Sequence, residues 1–353
     1  MGTGNSAHLV KKSATDKRIH QTQGAKAVTQ KSVLKRNNPA NNILVFGSLS
    51  MTKFNPLEHP ICFTYPLRMA KTFWMEHTPF AMFLIDVLRP KVVVELGAYF
   101  GVSYCSFCQA VKELKTDTRC YAIDTWQGDP HNDFYGIEVL TDLKAHHDPL
   151  YGSFSTLVQS DFQEALKYFE DASVDLLHID GFHTYEAVRK DFEIWLPKMS
   201  NQGVVLFHDT NIRARNFGVW KLWEELKLQY PNFDFAHECG LGLIVVGRQH
   251  PERLFDLMNS SEEELVKIRE FFYQLGMRAK ISQEAHTLKQ ENMKLQLQLQ
   301  SMRDNEMQLM RDNEQHLPQK RIARVFQIWE DQGIRGVMQK GLVKFRHKFR
   351  STS

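Results

Sequence analysis

No apolar run in the sequence approaches the roughly 20 residues that a helix needs to cross a bilayer, which excludes a helical membrane span. No charged-apolar-small leader opens the chain, and five cysteines in 353 residues are too few for a disulfide scaffold. A reducing, cytoplasmic setting is therefore expected. Cys105 and Cys108 form a CxxC, but they fall inside a helical stretch and no second pair stands at zinc-ligand spacing, so both are expected as core thiols. The three-glycine GxGxxG of dinucleotide sites is missing. Acid is scarce at both ends. Residues 1–40 hold eight Lys or Arg against Asp16 alone, and residues from Pro318 onward hold nine against Glu330 and Asp331. Each end thus carries a formal surplus of seven positive charges, which leaves an acidic body at −11 in a chain of net +3. That argues against a nucleic-acid groove in the body.

What the sequence does have is a β-branched strand, Val92-Val93-Val94-Glu95-Leu96, that breaks into Gly97 and reaches Gly101 before a helix begins. A parallel strand buried on both faces reads as continuous apolar sequence, and a turn that presses backbone against a ligand needs glycine. The GxxxG spacing, with an acid just before it, points away from a dinucleotide and towards S-adenosylmethionine. Glu95 is expected to face the methionine part of that cofactor. Asp124, closing the next apolar strand, is placed to accept from two ribose hydroxyls, and Asp161, after a third strand, is placed near the adenine.

Two further strands deliver the chemistry. Val174 to Ile179 ends at Asp180, Gly181 and His183, and Gly203 to Phe207 ends at His208 and Asp209. Ligands of open parallel sheets lie at the carboxyl ends of the strands, so these four ionisable groups converge where a substrate must sit. Three readings stay open: a divalent metal site, an acid/base pair, or a set of helix caps. His183 has the intrinsic pKa of a general base. Asp180 and Asp209 are hard oxygen ligands suited to magnesium, with His208 joining for a softer metal.

The run Glu95-Leu96-Gly97-Ala98-Tyr99-Phe100-Gly101-Val102-Ser103 resembles the first motif of class I S-adenosylmethionine-dependent methyltransferases, especially the catechol-type O-methyltransferases. The run Ile179 to Tyr185, together with Gly203 to Thr210, is similar to a bacterial methyltransferase family associated with polysaccharide and glycosyltransferase functions. The resemblance spans residues 55–248. It implies an α/β, Rossmann-like seven-stranded sheet with a terminal antiparallel hairpin, formed by Phe233 to Phe235 and Leu243 to Val246. It also implies Glu95, Gly97, Gly101, Ser103, Asp124 and Asp161 as cofactor residues, His183 and Asp180 as catalytic, and Asp180, Asp209 and His208 as ligands of Mg2+ or another divalent metal. Where the catechol-type enzymes have a lysine base, this chain has His183, and Asp209-Thr210 replaces their Asp-Asn pair. The implied activity is methyl transfer to an oxygen, with a sugar hydroxyl of a glycan or glycosylated metabolite as acceptor. The alternatives are a non-catalytic scaffold of a glycan-assembly complex and a hydroxylase-like enzyme, since related Asp-Gly-x-His sequences occur in proteins described as hydroxylases.

Outside that span, residues 1–42 read as a disordered basic arm, and residues 251–317 as a helical region with a short coiled coil. Ile281, Leu288, Leu295, Met302 and Leu309 recur every seven residues, with Ala285, Asn292 and Leu299 on the intermediate seam and Glu306 ending it. A homodimer through this seam is expected. Residues 318–353 interleave apolar residues with cations, which suits a peripheral position at the inner face of an anionic membrane or an acidic glycan-assembly partner. No nucleic-acid partner is expected, and the Asp-or-Asn-Pro-Pro-aromatic motif of amino-methylating enzymes is absent.

Overall fold

The computed structural model describes residues 54–348 except 132, 250 and 251; within that span it does not describe the side chains of 133, 313–320, 329 and 332–348. The basic arm at 1–42 lies outside the described residues, as do the side chains of most of the cations of the C-terminal stretch. Seven strands form one sheet: β1 (Val92–Leu96), β2 (Arg119–Asp124), β5 (Ser155–Gln159), β6 (Val174–Ile179), β7 (Met199–His208), β8 (Asn232–Phe235) and β9 (Leu241–Val245). Between β2 and β5 lies a two-stranded hairpin of β3 (Gly128–Asp129) and β4 (Asp133–Phe134).

The strand order is β5-β2-β1-β6-β7-β9-β8. β5, β2, β1, β6 and β7 run parallel, and β9 enters antiparallel between β7 and β8. This is the Rossmann-like methyltransferase sheet with its antiparallel hairpin. Because β1 pairs with β2 on one side and β6 on the other, the chain reverses its winding at β1, and the crevice for a ligand opens at the carboxyl ends of β1 and β6.

Helices α1 (Thr78–Leu88), α2 (Val102–Leu114), α3 (Ile137–Tyr151), the short α4 (Phe162–Ala165), α5 (Tyr185–Trp195) and α6 (Val219–Leu226) cover the sheet, followed by α7 (Glu252–Met258) and α8 (Glu262–Lys348). Helix α1 is buried along its whole length because it lies between the sheet and α8. The apolar core continues past residue 248 through Leu254, Leu257, Leu265, Ile268 and Phe272. The first turns of α8 therefore belong to the core that surrounds the site.

Several expectations are refined. Cys105 and Cys108 are buried thiols on α2. Gly242 lies within β9, where a Cβ would stand 2.6 Å from the Trp223 ring. Trp223 is core, whereas Trp220 is half-buried beneath the Arg213 guanidinium. The region at 251–317 holds α7 and the start of α8, and α8 continues without a break into the tail from 318. No helix among the described residues is long and apolar enough to cross a membrane.

Candidate active site

The turn after β1 is held from three sides. Gly97 takes φ +90°, and a Cβ on it would stand 2.1 Å from the carbonyl oxygen of Asp180, so only glycine lets β1 and β6 close together here. Asp124 accepts hydrogen bonds from the backbone N–H groups of Ala98 (2.9 Å), Tyr99 (3.0 Å) and Trp126 (2.7 Å). Burial pushes its carboxyl pKa up, and those three amides oppose the rise. Trp126 is buried, with its indole N–H donating to the Tyr99 carbonyl, so it locks the turn and offers no face to a sugar.

Glu95 does not reach the crevice. Its side chain is fully buried, accepts from the Ser103 hydroxyl at 2.7 Å and approaches His178 Nδ1 at 3.0 Å without hydrogen-bond alignment. Burial raises its pKa against the pull of His178 and Ser103. The acid before the glycine turn thus anchors Ser103 of α2 to β1, and Ser103 itself lines the crevice.

The crevice has two lobes. The smaller, about 210 Å³, is lined by Asp124, Asp129, Tyr135, Asp161 and Phe162 among others, and the larger, about 360 Å³, by Ser103, His131, His183, His208, Asp209 and Phe217 among others. Gly97, Tyr99 and Asp180 line both. Asp161 also caps α4, accepting from the Glu164 N–H at 2.9 Å.

In the larger lobe the four strand-end groups meet as expected. His183 Nε2 stands 2.9 Å from Asp209 and 3.8 Å from Asp180, and His208 Nδ1 stands 3.2 Å from Asp180 and 3.4 Å from Asp209. Two imidazoles thus share two carboxylates. Burial would lower the His183 pKa, but hydrogen bonds to Asp180 and Asp209 outweigh it and raise it to about 9. His208 is likewise raised, by the charges of Asp180 and Asp209 against burial. Burial would lift both carboxyls, yet Asp209 is drawn down to about 2 by His208 and His183, and Asp180 falls below the usual carboxylate range. The four shifts all run in the direction that favours charged imidazoles against charged carboxylates. The intrinsic imidazole pKa that recommended His183 as a base does not survive in this setting.

The residues also fit a metal. Single donor atoms of Asp180, His183 and Asp209 lie within 4.8 Å of one another, as do those of His208, Asp209 and Cys239. The Nε2 of His208 is buried and has no hydrogen-bond partner among the described residues.

Sequence reasoning missed three contributors. His131, on the loop between β3 and β4, brings Nδ1 to 3.3 Å from Nδ1 of His183. Phe217 stacks on both imidazoles at 4.5 Å. Segment 71–74 walls the larger lobe, with Phe73 62 % exposed at the mouth. The polar, aromatic composition of residues 126–131 was a signal for His131; no local pattern announced the other two.

Residues 94–210 match a family model described as "Methyltransferase domain". The chain is 48 % identical over 184 residues to the protein y4gI of Sinorhizobium fredii, a match covering 52 % of this chain and 20 % of that protein. The chain thus spans about a fifth of that relative's length. Among solved structures, the TDP-rhamnose 3'-O-methyltransferase CalS11 of calicheamicin biosynthesis is similar at TM-score 0.39 and 16 % identity, over 50 % of this chain and 81 % of its own. The O-methyltransferase TomG from Streptomyces achromogenes, solved with S-adenosylmethionine, is similar at 0.38 and 12 %, over 50 % and 81 %. The Podospora anserina methyltransferase PaMTH1 is similar at 0.37 and 14 %, over 48 % and 77 %.

Proposed function

We propose that this chain transfers the methyl group of S-adenosylmethionine to an oxygen, with a sugar hydroxyl as acceptor. The observation that carries the reading is the pair of joined lobes: acids suited to an adenosine line one, an imidazole-carboxylate quartet lines the other, and Gly97, Tyr99 and Asp180 belong to both. A methyl donor lying across that junction would present its methyl to an acceptor beside His183. The exposed Phe73, with Thr72, Lys71 and Arg215 around the mouth, gives an apolar face edged by polar groups, which suits a sugar ring.

The bound cofactor supplies an electrophilic methyl. The chain's own work is to hold the acceptor oxygen in line and to remove its proton. Asp209 holds the Nε2 side of His183, which leaves Nδ1 as the atom that takes the hydroxyl proton once the ring is neutral. His131 Nδ1, 3.3 Å away, gives that proton an onward path to the mouth. Phe217, stacked on both rings, fixes their planes and keeps water from them. A divalent metal held by Asp180 and Asp209, with His183 or His208, would lower the pKa of an acceptor hydroxyl; two carboxylates and imidazole suit a first-row metal as well as magnesium.

The test is calorimetry of the full chain with S-adenosylmethionine, with magnesium and with chelator, beside Asp124→Ala. Loss of charge-assisted hydrogen bonds predicts roughly 10- to 100-fold weaker binding in the variant. Absence of binding by the unaltered chain in every condition would sink the reading and favour a scaffold.

A further inference from the structure

Helix α8 has two faces with different fates. Its first turns dock on the domain through Leu265, Phe272 and Ala279, and Gly276 lies so close that a Cβ there would stand 2.1 Å from the carbonyl oxygen of Glu76. Lys280 reaches Glu76 and Glu238, Arg278 donates to the Phe63 carbonyl, and Gln283 donates to the Ala70 carbonyl. His286, Thr287 and Gln290 continue this face along the groove beside residues 67–72.

The opposite face carries the seven-residue repeat, and nothing among the described residues covers it. Ile281 is 60 % exposed, Leu288 65 %, Leu295 59 %, Leu299 55 %, Met302 67 % and Leu309 64 %. Written as heptads abcdefg, Ile281, Leu288, Leu295, Met302 and Leu309 are d positions, and Ala285, Asn292 and Leu299 are a positions. Ala279, Gln283, His286, Thr287 and Gln290 then fall at b, f, b, c and f, on the side away from the a/d seam. The domain and a coiled-coil partner can therefore occupy α8 together without displacing each other.

We infer that residues 281–309 of α8 pair with the same residues of a second copy of this chain as a parallel, in-register, two-stranded coiled coil. Two sequence features along the exposed face select that occupant. Leu288, Leu295 and Leu309 at d suit a two-stranded seam, and an Asn at an a position is satisfied by its own counterpart only when the strands are parallel and in register. In that register the g-position Glu284 faces the e-position Lys289 of the second copy, and the later pairs, Glu291 with Gln296 and Gln298 with Arg303, oppose no like charges. Glu306 at an a position closes the seam. The pairing is independent of the methyltransferase reading, because it uses no residue of the crevice.

The test is the mass of the full chain in solution at micromolar concentration, by light scattering or sedimentation equilibrium. The unaltered chain is expected at the mass of two copies. Leu288→Asp with Leu295→Asp is expected to halve that mass while S-adenosylmethionine binding, or its absence, stays as in the unaltered chain. Leu299→Cys is expected to form a disulfide-linked dimer under mild oxidation that the unaltered chain does not form. A single-chain mass for the unaltered protein, a dimer that persists in the double variant, or a dimer in which Leu299→Cys fails to link would each overturn the assignment.

Discussion

Replacing Glu238 by glutamine should change how stability depends on pH, and the structure sets the size of the effect. Glu238 sits in the loop between β8 and β9 with its side chain 8 % exposed, accepting from the Glu76 N–H at 3.2 Å. Burial, and then the neighbouring charge of Glu76, raise its pKa from 4.5 to about 7, against the pull of His208 and Lys280. Between those two values the folded chain keeps a proton that the unfolded chain has released. Protonation thus stabilises the folded state fully below pH 4.5, and that contribution is lost as pH rises through about 7. The shift of 7 − 4.5, at about 1.4 kcal/mol per unit, corresponds to about 3 kcal/mol across the window. Glu238→Gln keeps an acceptor for the Glu76 N–H and cannot ionise, so its stability should fall less steeply from pH 5 to pH 8. Urea unfolding at fixed protein concentration would measure this, the concentration being held because association contributes to stability. Parallel stability curves for the two proteins across that range would refute the argument.

Three further outcomes follow from the site. Gly97→Ala forces a Cβ against the Asp180 carbonyl at φ +90°; backbone strain of about 1–3 kcal/mol, with displacement of the β6 end, should lower Tm by several degrees and abolish cofactor binding, and an unchanged Tm would contradict the close packing of β1 on β6. In His183→Gln, kcat for methyl transfer should drop roughly 10²- to 10⁴-fold with cofactor affinity little changed. In the unaltered, metal-free chain the rate should climb as pH rises through about 9, where His183 becomes neutral. A full rate in His183→Gln would remove the base role.

The sequence by itself determined the elements whose signals are local. The β-branched run at 92–96, the glycines at 97 and 101, and the Asp180-to-His183 and His208-Asp209 strand ends are read directly, because strand burial, turn geometry and strand polarity act within a few residues. The heptad of α8 was equally legible, since its period is a property of one helix. Tertiary structure decided what those residues do to one another. Glu95 was placed facing the cofactor from its position before the turn, yet the partners that bury it, Ser103 and His178, come from α2 and β6. His183 acquired its raised pKa from Asp180 and from Asp209, the latter at the end of another strand, and His131 and Phe217 joined the site from loops far apart in the chain. Electrostatic shifts depend on distances of a few ångströms between residues remote in sequence, and only the folded chain fixes those distances.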